Sequence, residues 1–115
     1  MAAPNALEVR KDETNRLYEA VVDGRVVGTL AYETVGGRVA LTHSYVDEDQ
    51  RHRGVASAMA RYALEDLDRS DVTAGIFCGF VADYVDDHPE WSHVVDIHRS
   101  ALIPTRTERG STDGR

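Results

Sequence analysis

One cysteine, Cys78, in 115 residues leaves no partner for an internal disulfide and too few thiols for a multi-cysteine metal site. No apolar run exceeds a few residues, so no segment reads as a bilayer-spanning helix. Positive charge is scarce as well. Thirteen Lys and Arg stand against 20 Asp and Glu, for a formal charge of −7 and a pI near 5.1. Such a surface is poorly suited to displacing counterions from a phosphate backbone, which argues against nonspecific nucleic-acid binding and mildly favours a cationic partner such as an amine. The first residues lack a charged-then-apolar signal pattern, so the cytoplasm is the expected compartment. Length and a hydrophobic fraction of 42% predict one domain around a single modest core.

Residues 1–13 are polar with weak periodicity and are expected to form an N-terminal segment that frays. Arg16 to Val22 alternates as a strand, and Asp23-Gly24 is a strong hairpin signal because both positions of that turn want φ > 0. Arg25 to Thr34 returns as a second strand. Gly36-Gly37 turns again into Arg38 to Val46, which completes an antiparallel meander. From Arg53 to about Arg69 the period becomes helical, with Val55, Met59, Ala63 and Leu67 on one stripe. Asp71 to Phe77 reads as a short strand, parallel to the third because a helix connects the two. Phe80 to about His88 reads as a second helix stopped by Pro89. Residues 91–103 fit either a closing strand or a helical turn, and 104–115 read as a disordered tail.

Between the third strand and the first helix lies Gln50-Arg-His-Arg-Gly-Val-Ala56. A turn built on small residues that opens a helix aims several backbone N–H groups at one spot, where the helix dipole adds roughly half a positive charge. Phosphate or pyrophosphate binds well there. The pattern Gln-x-x-Gly-x-Ala resembles the acyl-coenzyme A pyrophosphate loop of the GNAT N-acetyltransferase superfamily. Further segments at matching positions extend the resemblance over about residues 16 to 93. They are Leu41-Thr-His-Ser-Tyr-Val46 and Cys78-x-Phe-Val-x-x-Tyr84-Val-x-x-His88-Pro-Glu-Trp91. Within the superfamily the chain looks like the compact, single-domain, YjdJ-type group. The resemblance implies an α/β (α+β) fold: a mostly antiparallel sheet with a splayed parallel strand pair and flanking helices, spanning residues 14–103. The chain departs from the wider superfamily in showing no first strand and none of the following helices that normally help shape the acceptor pocket.

The resemblance further implies that Arg51, Arg53, Gly54, Val55, Ala56 and Ser57 hold the pyrophosphate of acetyl-coenzyme A. Ser44, Tyr45 and Val46 would then lie along the pantetheine arm, which pairs with the strand as though it were a missing neighbour. Three residues are catalytic candidates. His43 sits near the expected acetyl position, where a neutral imidazole can take a proton from an attacking amine; its other reading is a histidine bonded within a half-buried sheet. Cys78 reads either as an acetyl-accepting thiolate or as a small packing residue. Tyr84 reads either as the acid that protonates the departing thiolate or as a half-buried aromatic. His88, Glu90, Trp91 and His93 fit no zinc spacing, and no metal is expected.

The expected activity is acetyl transfer from acetyl-coenzyme A, as cosubstrate, directly to a primary amine of a small molecule or a protein, with neither nucleic acid nor membrane as partner. One rival is a module that binds or senses acyl-coenzyme A without turning it over. The other is a protein-interaction domain whose loop binds nothing.

Overall fold

The computed structural model describes residues 6–98. The elements run β1 (Leu7–Asp12), β2 (Leu17–Val22), β3 (Arg25–Val35), β4 (Arg38–Val46), α1 (Val55–Arg69), β5 (Ala74–Ile76), α2 (Gly79–Asp87) and β6 (Val95–His98), with 3-10 turns at Glu48–Gln50 and Pro89–Val94. All six strands join one mixed sheet in chain order. β1 to β4 are antiparallel, and β4, β5 and β6 are parallel. The expected α/β fold is therefore observed, with two parallel pairs rather than one.

The local reasons are visible in the backbone. Asp23 and Gly24 both have positive φ (53° and 79°), as the β2–β3 hairpin requires. In α1, Val55, Met59, Ala60, Ala63, Leu64 and Leu67 are buried, so the helical stripe is the face laid on the sheet. Gly28 lets that helix come close. A Cβ there would stand 3.1 Å from Met59 Cε, Val55 Cγ1 and the Tyr45 carbonyl oxygen. α2 buries Val81, Ala82 and Val85 in the same core, together with Tyr18, Leu30, Leu41, Ile76 and Val94. Each such fully buried large apolar side chain is worth about 1.5–3 kcal/mol relative to exposure.

The N-terminal expectation is corrected. Residues 7–12 form β1, paired along its length with β2 from Leu7↔Val22 to Asp12↔Leu17. The first strand is therefore present, and the folded unit starts earlier than residue 14. Lys11 hid it by breaking the apolar alternation. Its stem lies inward while its ammonium reaches Asp66 of α1 (2.9 Å) and stands over the Tyr18 and Tyr32 rings at 5.7 and 5.4 Å. Tyr18 also donates to Asp66 (2.9 Å). Burial alone would push the Asp66 carboxyl up, but the hydrogen bonds from Lys11 and Tyr18 more than reverse this and hold it below its ordinary range. Burial opposes charge on Lys11 too, yet Asp66 keeps its ammonium above the usual value.

The helices expected to be missing after the first strand are absent. Only residues 13–16 join β1 to β2, folded by Asp12, which accepts from the Asn15 backbone N–H (3.1 Å) and amide (2.8 Å). Of the segment 91–103 left open above, Pro89–Val94 is a 3-10 turn and Val95–His98 is β6. Residues 99–103 and the tail at 104–115 lie outside the described residues.

Candidate functional site

The site begins with a bulge in β4. Ala31 pairs with His43 and Tyr32 with Leu41, so Thr42 is an extra residue whose hydroxyl donates to the Ala31 carbonyl (3.3 Å). A bulge bends its strand and re-aims the side chains beyond it. β5 stops at this level. Its pairing with β4 ends at Leu41↔Ile76, and the Leu41 carbonyl accepts from both Phe77 N–H (2.9 Å) and Cys78 N–H (3.0 Å). Past this apex β4 runs on without β5 beside it.

Which backbone groups face the gap follows from parity. Asp47 N–H donates to Val27 O (2.8 Å), and the Tyr45 carbonyl faces Gly28, so residues 43, 45 and 47 turn their backbone groups toward β3. Ser44 and Val46 therefore turn theirs into the gap. Arg51 Nε donates to the Val46 carbonyl there (3.1 Å).

The opposite wall is the start of α1. Gly54 is its N-cap in the left-handed region (φ 79°), contributes no side-chain cap, and no acidic residue stands in the first turn. The leading N–H groups thus lack a side-chain acceptor, which is how a helix end receives an anion. A Cβ on Gly54 would meet nothing within 4 Å, so the space before the helix is open. His52 is also left-handed (φ 65°), a conformation that costs a residue with a side chain about 1–2 kcal/mol. Two acidic residues beside the loop, Asp47 and Asp49, are drawn off by Arg25 at 2.7 and 3.6 Å.

Strand edge, loop and helix start enclose a cleft of about 440 Å³ lined by Ser44, Tyr45, Val46, Gln50, Arg51, His52, Gly54, Val55, Ala56, Ser57 and Phe80. Eight of the nine residues expected to hold the cofactor line it, and Arg53 does not. Gln50, His52 and Phe80 are additions. Gln50 and His52 lie inside the loop pattern already singled out. Phe80 could have been noticed as a large aromatic off the buried stripe of α2, and it is 40% exposed.

The three catalytic candidates do not converge as side chains. Cys78 is 4% exposed and caps α2, and its thiol donates to the Ser44 hydroxyl across the apex (3.5 Å). His43 is exposed, and its ring makes no hydrogen bond among the described residues. Its pairing with Ala31, between the core residues Leu30 and Tyr32, puts it on the sheet face away from the helices. Tyr84 lies one turn beyond Phe80 on α2, half-buried, with its ring stacked on His88 (4.1 Å between centroids). His88 donates to the Tyr84 carbonyl (2.9 Å), and His93 bonds to Asp68 (3.0 Å). Among the described residues no three His, Cys, Asp or Glu side chains gather as metal ligands, and no helix is long and apolar enough to cross a membrane.

Comparison with known proteins matches residues 17–94 to a family described as GCN5-related N-acetyl-transferase. Protein NATD1 of Mus musculus is 33% identical over 96 residues, covering 75% of this chain and 86% of the mouse protein. Protein NATD1 of Gallus gallus is 32% identical over 87 residues (72% of this chain, 77% of the chicken protein). Protein NATD1 of Homo sapiens is 32% identical over 87 residues (72% of this chain, 75% of the human protein).

Proposed function

The chain belongs to the GCN5-related N-acetyltransferase family, and from that premise we propose that it is an enzyme that transfers the acetyl group of acetyl-coenzyme A to a primary amine. The observation that carries this is the cleft: a helix start with no acidic or capping side chain faces an unpaired strand edge. The two match the two polar stretches of coenzyme A. The N–H groups at Gly54 to Ser57, with Arg51, would hold the pyrophosphate through charge-assisted hydrogen bonds. Backbone groups of Ser44 and Val46 would pair with the pantetheine amides, with the Val46 carbonyl exchanging its Arg51 contact for a ligand amide. Phe80 supplies an apolar side to the channel.

Bound acetyl-coenzyme A supplies a thioester already activated toward amines, so the protein needs only to position the acceptor and take a proton. His43 is our candidate base. An ammonium acceptor gives one proton to its imidazole or to water. The freed nitrogen then forms the C–N bond as the C–S bond breaks. The bond's electrons stay on sulfur, which takes up the second nitrogen proton directly or through Tyr84 or water. Cys78 stands at the apex, sheltered from solvent and engaged with Ser44, which favours direct transfer over a cysteine relay.

A second reading, an acyl-coenzyme A sensing module with little turnover, is favoured by one feature: nothing orients the His43 ring. Calorimetric titration with acetyl-coenzyme A followed by a panel of amines tests both. Binding with turnover supports the enzyme, binding without turnover supports the sensor, and no binding removes both. The expected cytoplasmic location belongs to the same proposal.

A further inference from the structure

An acetyl donor held between β4 and α1 needs an acceptor that reaches the apex from a free side. The β4–α1–β5 and β5–α2–β6 crossovers advance in the same direction across the sheet, so right-handed connections put both helices on one face, where they touch. On that face the apex is sealed by Leu41, Ile76, Met59 and Val81, all fully or almost fully buried. The opposite face carries no helix among the described residues, because β1 and β2 are joined by a tight turn.

Register gives the makeup of that bare face near the apex. His43 stands opposite Ala31, and in the next row Glu33, Ala40 and Gly75 lie side by side across β3, β4 and β5. The floor is thus made of two alanines and a glycine. The Phe77 ring reaches over Gly75, its Cε2 2.8 Å from where a Cβ would be, so a side chain at 75 would have to push this ring aside; the ring is 40% exposed. Two acidic residues of the face differ in their state. Glu19 is tied to Arg10 (2.9 Å), whereas exposed Glu33 makes no ion pair among the described residues. Glu33 and His43 are diagonal neighbours on adjacent strands, at a Cα separation of about 7–8 Å. One nitrogen cannot easily serve both.

We propose that this face is the acceptor subsite and that it takes a short unbranched aliphatic diamine or polyamine. One ammonium pairs with Glu33, the alkyl stem crosses Ala31 and Ala40 beside Phe77, and the other nitrogen is presented at His43. This rests on the transfer activity proposed above. The spacing gives Glu33 a role in binding and selection, with the proton left to His43. The chain's net charge of −7 attracts the same class of ligand at long range.

The test compares kcat/KM for a diamine and for the monoamine of equal carbon number, using the full chain with acetyl-coenzyme A, together with a lysine-bearing peptide. The wild type is expected to prefer the diamine severalfold. Glu33→Gln should bring the ratio close to one, mainly through KM, and Glu33→Asp should keep part of the preference. Glu8→Gln, a neutralised carboxylate on the edge strand β1, should leave the ratio intact. Calorimetric affinity for acetyl-coenzyme A should not change with Glu33→Gln. The inference is overturned if the wild type acetylates amines without preferring the diamine, if the preference survives Glu33→Gln, or if the lysine peptide is the better acceptor. It is also overturned if acetyl-coenzyme A binds but no amine in the panel is acetylated. A wild type that does not bind acetyl-coenzyme A instead defeats the proposed function.

Discussion

The thiol of Cys78 lies 3.5 Å from the hydroxyl of Ser44, across the point where β4 and β5 part. The contact joins the last residue before α2 to a strand residue whose backbone faces the cleft. It makes Cys78 a wall of the apex. A relay through this thiol would first have to break the contact and expose a side chain that is 4% accessible.

Cys78→Ala is therefore expected to retain most turnover, while His43→Ala loses roughly 10²-fold or more in kcat, the usual size of a general-base contribution. Intact mass spectrometry after mixing with acetyl-coenzyme A alone checks the alternative. A stable gain of one acetyl group that disappears in Cys78→Ala would establish the covalent route. If neither variant changes the rate, ordered water takes the proton.

Gly54→Glu should abolish coenzyme A binding and leave the fold intact. The position opens onto free space, so nothing is crushed, and the left-handed φ of 79° costs a non-glycine residue about 1–2 kcal/mol. The added carboxylate stands where the pyrophosphate is placed. Native circular dichroism with undiminished affinity in titration would refute the loop assignment.

Pantetheine should bind far more weakly than coenzyme A, by about 2–4 kcal/mol, because charge-assisted contacts to the phosphates are worth about 1.5–3 kcal/mol each before screening at this exposed loop. The difference should shrink as salt rises. Equal affinities for the two ligands would show that the helix start contributes nothing.

The Lys11–Asp66–Tyr18 cluster predicts a pH window for stability. Asp66 has a depressed folded pKa, so its contribution is full above the unfolded carboxylate value of 3.8 and is lost as pH falls through the lower folded value. Lys11 has a raised one, so its contribution is full below 10.5 and is lost as pH rises through the higher folded value. Between these limits Asp66→Asn should lower unfolding free energy by about 2 kcal/mol, the size of hydrogen bonds to a charged, mostly buried group. Urea titrations should show this gap closing below about pH 4. A gap independent of pH would mean that the carboxylate charge is not what matters.

The meander, the phosphate-loop helix and the short parallel strand are written locally, and a reader of the sequence finds them without a structure. Asp23-Gly24 turns because those residues tolerate positive φ. Val55, Met59, Ala63 and Leu67 make a helix that must bury one stripe. Gln50 to Ala56 makes that helix start without an acidic or capping side chain. Each of these depends on neighbours a few residues away, where sequence and geometry are directly coupled.

Other features depend on residues far apart in the chain. β1 has no clear local signature because Lys11 becomes an inward-lying residue only when Asp66 and two tyrosine rings receive it. The bulge at Thr42 decides that His43 looks away from the helices while Ser44 faces Cys78, and no local pattern in Leu41-Thr-His-Ser announces a one-residue slip. Phe80 joins the cleft, and Glu33 joins the row of Ala40 and Gly75, only once strand pairing has set which residues share a face. Local propensity determined the elements of this protein. Register and side-chain packing, which are long-range and cooperative, decided the faces on which its chemistry can meet.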